Sequence, residues 1–182
     1  MMLFPSVTEV LKQYQDFSGV SQGIMERAGI RGTAVHSYCC NIANGIPAVG
    51  VPDDYQHYVD AFQAWVSEFV SETLFTEERL IDEALGFHGQ PDLVVTAKDK
   101  SNILIDMKTG IFGMKLWPIQ LVAYKHLLEL IGHKIDRTAV LLLNQQPAKL
   151  IEYTVKATHL NLFCQMLNIH RYLRNEEGAK TA

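Results

Sequence analysis

Cysteine is scarce in this chain: there are three, two of them adjacent at Cys39 and Cys40, and none stands in the C-x-x-C spacing of a zinc or redox site. A disulfide framework is thereby excluded as the organising device. Long apolar runs are missing as well. None approaches the roughly twenty residues that a membrane-crossing helix needs, and the first residues, MMLFPSVTEV, lack the basic segment and apolar stretch of a secretory signal. The expectation is a soluble, cytoplasmic protein with no membrane association. There is no internal repeat, low-complexity tract or linker. Basic charge is not in surplus either, since the net charge is −4. That balance looks wrong for a nucleic-acid binder until its distribution along the chain is considered.

What is present is an ordinary globular composition: 182 residues, 48% hydrophobic and 20% charged, sized for one domain with a proper core. The charge is unevenly distributed. Between Asp53 and Glu83 there are nine acids and one base, Arg79, whereas from Lys98 onward there are twelve bases and seven acids. A phosphate backbone would be drawn to the second half. Two solvated faces would read the same way.

Ser6 and Ser21 can cap short helices, Val7 to about Gln15 and Ser21 to Arg27, the latter ended by Gly29. A third helix spans Arg31 to Asn44 and closes at Gly45. The next is the most regular in the chain, with Tyr55, Tyr58, Val59, Phe62, Trp65, Val66 and Phe69 recurring at three and four residues. That stripe packs against a sheet. After Glu72, TLFTEERLIDEAL through Leu85 is read as one strand, with Glu77 and Glu78 on a solvated edge. Pro118 opens a helix that runs to Ile131 and stops at Gly132, with Ile119, Ala123, Leu127 and Leu130 packing inward. Thr138–Asn144 is a buried strand and Lys149–Val155 an exposed one. Leu160–Leu173 is a closing amphipathic helix, and the last eight residues fray. The order is four helices, three strands, a helix, two strands and a helix, a single α/β domain with a mixed central sheet flanked by helices. Its helical N-terminal part covers about 1–71 and its core about 72–175.

The chemistry concentrates between Gly86 and Gly110. From Ile103 to Lys108 the residues alternate, so Ile103, Ile105 and Met107 share one face while Leu104, Asp106 and Lys108 share the other. The run Asp92–Ala97, bounded by Pro91 and the polar turn Lys98-Asp99-Lys100-Ser101, is expected to pair antiparallel with it. That pairing brings Asp92 beside Asp106 and Lys108. Paired carboxylates at a sheet end suit hard divalent cations, and an adjacent lysine can orient water or stabilise charge on a phosphate. An isolated D-x-K would usually be a surface salt bridge; the apolar opposite face and the second aspartate favour a site.

Pro91-Asp92 followed by Asp106-Met107-Lys108 resembles the PD-(D/E)XK nuclease motif, and the surrounding residues resemble its RecB-like, phage-type exonuclease branch. Gly32-Thr33-Ala34-Val35-His36 is similar to that branch's G-x-x-x-H helix, Thr109-Gly110 follows the lysine as it does there, and Gln120-Leu121-Val122-Ala123-Tyr124 is similar to its Q-x-x-x-Y helix. The resemblance runs from about His36 to Tyr124. It implies a restriction-endonuclease-like core with N-terminal helices, and a deoxyribonuclease of phage or prophage recombination, exonuclease rather than endonuclease. It implies that His36, Asp92, Asp106 and the backbone carbonyl of Met107 hold Mg²⁺ or Mn²⁺, that Lys108 assists the attacking water, and that Gln120 and Tyr124 belong to the catalytic set. Trp117, Gln120 and Tyr124 are expected to face DNA. Glu83 is a weaker candidate for the additional glutamate that some relatives place near the preceding strand. Other relatives carry an iron-sulfur cluster on four cysteines; three cannot supply that set, so none is expected. Position 106 is Asp where many relatives have Glu, one methylene shorter. DNA is the implied partner, with a single-strand annealing or recombination protein beside it, and homo-oligomerisation is left open. Two other classes stay open: a catalytically inactive nuclease-like DNA-binding or assembly protein, and a metal-dependent hydrolase of a small phosphorylated substrate.

Overall fold

The computed structural model describes residues 4–16, 18–111 and 114–180, with side chains up to 174. The alternation along the central strand sets its architecture. Helices α1 (Val7–Lys12), α2 (Gln22–Ala43) and α3 (Asp53–Phe69) come first, then strands β1 (Val70–Thr76), β2 (Leu80–Asp82), β3 (Phe87–Gly89), β4 (Leu93–Ala97) and β5 (Asn102–Lys108). Helix α4 (Trp117–Leu130), strands β6 (Arg137–Leu142) and β7 (Lys149–Glu152) and helix α5 (Ala157–Lys180) complete the chain. Five strands form one mixed sheet in the order β1-β4-β5-β6-β7, parallel only between β5 and β6, whose connection carries α4. Ile103, Ile105 and Met107 bury against α2 and α3, while Leu104 and Val94 bury against α1, α4 and α5. Two helical layers therefore enclose the sheet. Among the described residues, no helix is long and apolar enough to cross a membrane.

Four expectations change. The two helices read across Ser21–Asn44 are one, because Gly29 stays in the helix without a positive φ; the left-handed conformation by which a glycine commonly ends a helix is adopted by Gly45, at φ +74°. The single strand read through Leu85 is two. Its alternation continues across a break at Glu77, after which β2 leaves the main sheet and pairs with β3. Leu130, placed inward from its spacing, is exposed at the end of α4. Helix α5 continues to Lys180 rather than stopping at Leu173, and the final two residues of the tail expected to fray lie outside the described residues.

The β2–β3 hairpin is held by side chains of α4 and α5. Asp82 accepts the Leu85 N–H at 2.8 Å and lies 2.7 Å from His126 Nε2. Phe87 stacks on His126 and meets Phe163 edge-on at 4.9 Å, and Arg171 donates to the carbonyls of Leu85 and Gly86. Gly89 allows α4 to come this close, since a Cβ there would lie 2.8 Å from both Tyr124 and Leu127. Gly89→Ala is expected to destabilise the protein by about 1–3 kcal/mol through overpacking. Urea denaturation checks this, and an unchanged midpoint would show that α4 can retreat at no cost.

Candidate metal centre

Antiparallel pairing of β4 with β5, with Leu93 opposite Ile105, carries Asp92 and Asp106 to the same end of the hairpin. There the Asp92 carboxylate accepts the Met107 N–H at 2.6 Å through Oδ2, and Oδ1 lies 3.4 Å from His36 Nδ1. Its backbone carbonyl accepts the Glu77 N–H at 3.2 Å and the Cys40 thiol at 3.8 Å. One residue thus joins α2, β1, β4 and β5. His36 reaches it because Val35, Cys39 and Cys40 bury one side of α2 on the sheet, leaving His36 over the strand ends. A strand residue projects its N–H and C=O from the same edge, so the Met107 carbonyl lies on the Asp92 side as well.

His36, Glu77 and Asp92 each offer a ligand atom within 4.8 Å of the others. Glu77, read from the sequence as a solvated edge residue, is the glutamate of this centre; Glu83 is exposed in the turn after β2. The backbone shows why pattern alone missed it. Glu77 sits at φ +35°, a left-handed conformation that is rare outside glycine, and this turn swings it off the strand alternation toward His36, 3.8 Å away. The strain coincides with the cluster. A non-glycine residue persisting in a strained turn at a ring of ligand atoms was the available signal, and it is visible only in three dimensions.

Asp106 stands beside this cluster, only 1% exposed. Its Oδ1 accepts the Gln120 amide at 3.0 Å, and its Oδ2 lies 2.7 Å from Lys108 Nζ in an ion pair without hydrogen-bond alignment. Among the described residues Oδ2 accepts no hydrogen bond, although it is fully buried. Gln120 also accepts from Lys108 at 3.3 Å and donates to the Tyr124 hydroxyl at 3.3 Å. Trp117, Gln120 and Tyr124, expected to face DNA, have little exposed surface but line the hollows beside the centre, Trp117 and Gln120 the one next to Thr109, Gln120 and Tyr124 the one next to Glu77. All three are buried, Trp117 edge-on against Tyr153, because the α4 face that carries them packs onto the sheet. Gln120 and Tyr124 position Asp106 and Lys108 from behind.

Burial works against every charge here, and the neighbours decide which charges persist. Burial disfavours a charged His36, yet Asp92 and then Asp106 outweigh it and bring its pKa up to about 9. Burial pushes the Asp106 carboxyl up to about 6, Asp92 adding to the rise and Lys108 opposing it. Burial and Asp92 likewise raise Glu77. Asp92 stays below the usual carboxylate range despite burial, held there by His36 and Lys108. Lys108, also resisted by burial, is raised by Asp106 and Asp92 and remains an ammonium.

This donor set fits a hard divalent cation. Two carboxylates and one imidazole converge with Asp106 beside them, one buried Asp106 oxygen accepts no hydrogen bond among the described residues and has only its ion pair to Lys108, and with His36 neutral the three carboxylates less the Lys108 ammonium leave the charge that one such ion balances. No protein-family model matches the chain, and a search of curated proteins returns no match.

Two outcomes are expected. Glu77→Gly removes the left-handed strain and a carboxylate facing Asp92, so stability in chelator should rise by about 0.5–1 kcal/mol while Mn²⁺ affinity falls. Denaturation and calorimetric titration read the two effects, and unchanged affinity would remove Glu77 from the centre. The second concerns pH in the metal-free protein. A His36 raised from 6.5 to about 9 contributes stability that is fully present below 6.5 and is lost as pH climbs through 9. Melts in chelator between these limits should show the wild type losing stability and His36→Gln losing clearly less; parallel losses would show His36 to be neutral throughout.

Proposed function

We propose that the chain is a metal-dependent deoxyribonuclease of the RecB-like PD-(D/E)XK kind, hydrolysing phosphodiester bonds. One observation carries the reading: Lys108 is 2.7 Å from a buried carboxylate, Asp106, that adjoins the His36, Glu77 and Asp92 cluster. A structural salt bridge has no use for three further convergent ligands. The mixed sheet between two helical layers also supports it, as that is the layout such a core requires.

His36, Glu77, Asp92 and Asp106, with the Met107 carbonyl, would hold Mg²⁺ or Mn²⁺. The bound ion supplies Lewis-acid polarisation of the phosphate and activation of water. The chain's own groups do the rest. In hydrolysis a water oxygen bonds to phosphorus, one P–O ester bond breaks, the water gives up a proton and the leaving oxygen gains one. Lys108 remains protonated, so its part is to donate hydrogen bonds to the water or to a phosphate oxygen and to balance the charge that grows there, rather than to remove a proton. Gln120 fixes the Lys108 ammonium and the Asp106 carboxylate against each other, and Tyr124 anchors Gln120. Exonuclease action is the form the resemblance implies.

The test is cleavage of end-labelled linear, circular and single-stranded DNA with and without Mg²⁺ or Mn²⁺. Consumption of linear DNA with circles spared supports an exonuclease. Binding without turnover under every metal condition would instead favour a nuclease-like DNA-binding protein. Two variants separate the roles. Asp106→Asn should lower both Mn²⁺ affinity and rate, whereas Lys108→Ala should keep metal binding and lose roughly 10²-fold or more in rate. Equal losses of metal binding in both would reduce Lys108 to support of the hairpin.

A further inference from the structure

The metal centre lies along a furrow. A cavity of about 500 Å³ borders it on the side of the β2–β3 hairpin, lined among others by Arg79, His88 and Gln90. A second, of about 230 Å³, lies on the side of Arg31 and Thr109. Both are lined by His36, Lys108 and Gln120, so they adjoin at the reactive groups. A third, of about 930 Å³, continues from the second past Gln15 and Ala28 to Lys12, Val20, Ile24 and Met25, where the chain returns from α1 into α2. Three adjoining hollows pass the centre from one flank to the other.

Their lining has a definite chemistry. Outside the centre's own carboxylates and their Lys108, the lining side chains include the cations Lys12, Arg31 and Arg79 against one acid, Glu26, in a chain whose net charge is −4. At the α2 end, Ile24 and Met25 are 48% and 37% exposed beside Lys12. Apolar side chains beside cations suit a ligand with flat apolar rings on a polyanionic backbone. The reactive carboxylates themselves are recessed, Asp92 at 7% and Asp106 at 1% exposure. A rigid duplex keeps its bases stacked inside and would have to bring a phosphate down to that floor, whereas an unpaired strand bends into a furrow and offers its bases to the walls.

We infer that this furrow takes one unpaired polynucleotide strand, its bases against Ile24 and Met25 and its phosphates drawn by Lys12 and Arg31 on one flank of the metal centre and by Arg79 on the other. This rests on the proposed nuclease activity and adds the strand specificity and the path. Lys12 and Arg79 are positioning residues, on opposite flanks of the centre and remote in sequence.

The test is fluorescence anisotropy of a short labelled oligothymidylate and of a labelled blunt-ended DNA hairpin, both in Ca²⁺ to suppress turnover. The single strand should bind at least about tenfold more tightly. Lys12→Glu, Arg79→Glu and Met25→Glu should each weaken it several-fold, and the two cation variants should also flatten its salt dependence. All three positions are exposed, so melting temperatures should stay the same, and Lys12→Arg should retain affinity. Equal or tighter binding of the hairpin would overturn the inference, as would charge-reversed variants that bind like the wild type. Cleavage of duplex at the single-strand rate would leave the nuclease reading standing and remove this one. Tight strand-selective binding with no cleavage would do the reverse.

Discussion

The structure depends on keeping the Asp92 carboxylate charged inside the protein. Burying an ion without partners is prohibitive, and Asp92 is supplied with them from several elements at once: the Met107 amide of β5, the His36 ring of α2 and the more distant Lys108 charge. Its own carbonyl meanwhile receives Glu77 and Cys40. These contacts cannot be satisfied one at a time. The hairpin register, the rotation of α2 about its axis and the turn after β1 must all be right together, so the polar centre specifies the same arrangement that the two apolar faces favour by burial.

The centre also carries a cost in the metal-free state. Glu77 is held in a left-handed backbone conformation, Asp106 is pushed toward protonation, and its buried Oδ2 accepts no hydrogen bond among the described residues. The last two are of the kind a cation would relieve, by coordinating carboxylate oxygens and balancing their charge, and its binding would offset the first. Behind it, α4 acts as a template. Gly89 admits the helix against the hairpin, and the approach places Gln120 where its single amide holds both Asp106 and Lys108. The β2–β3 hairpin, anchored through Asp82 and His126, then forms one wall of the furrow.

Local alternation and ordered motifs were legible because they depend on near neighbours. Ile103–Lys108 divides its faces as its period dictates, Asp92 and Asp106 come to one end through one tight turn, and the α3 stripe is core at Tyr58, Val59, Phe62 and Trp65 and half-buried at Tyr55 and Val66, while Phe69 at the helix end is exposed. The misreadings were equally local. Gly29 and Gly45 are the same letter, and only the backbone conformation, which the surrounding packing decides, separates a helix interior from a helix end. In TLFTEERLIDEAL a left-handed turn interrupts a pattern that reads as continuous. The resemblance to a Q-x-x-x-Y helix puts Gln120 and Tyr124 in the site, but not the way they are held there: Gln120 bonds to Asp106 and Lys108 and Tyr124 to Gln120, which is what allows their burial.

By itself the sequence determined the two-faced central strand, the carboxylate pair with its lysine and the helix bearing His36, because periods of two and 3.6 residues and a short hairpin leave little freedom in where those side chains point. Tertiary structure alone decided the rest. It chose Glu77 rather than Glu83 as the acid facing His36, it turned Gln120 inward, and it laid Lys12, Arg31 and Arg79 along one furrow. The physical reason is that each of these depends on elements far apart in the chain meeting at a strained turn or a packed helix face. Such meetings are set by the balance of burial and charge over the whole fold, which no local pattern records.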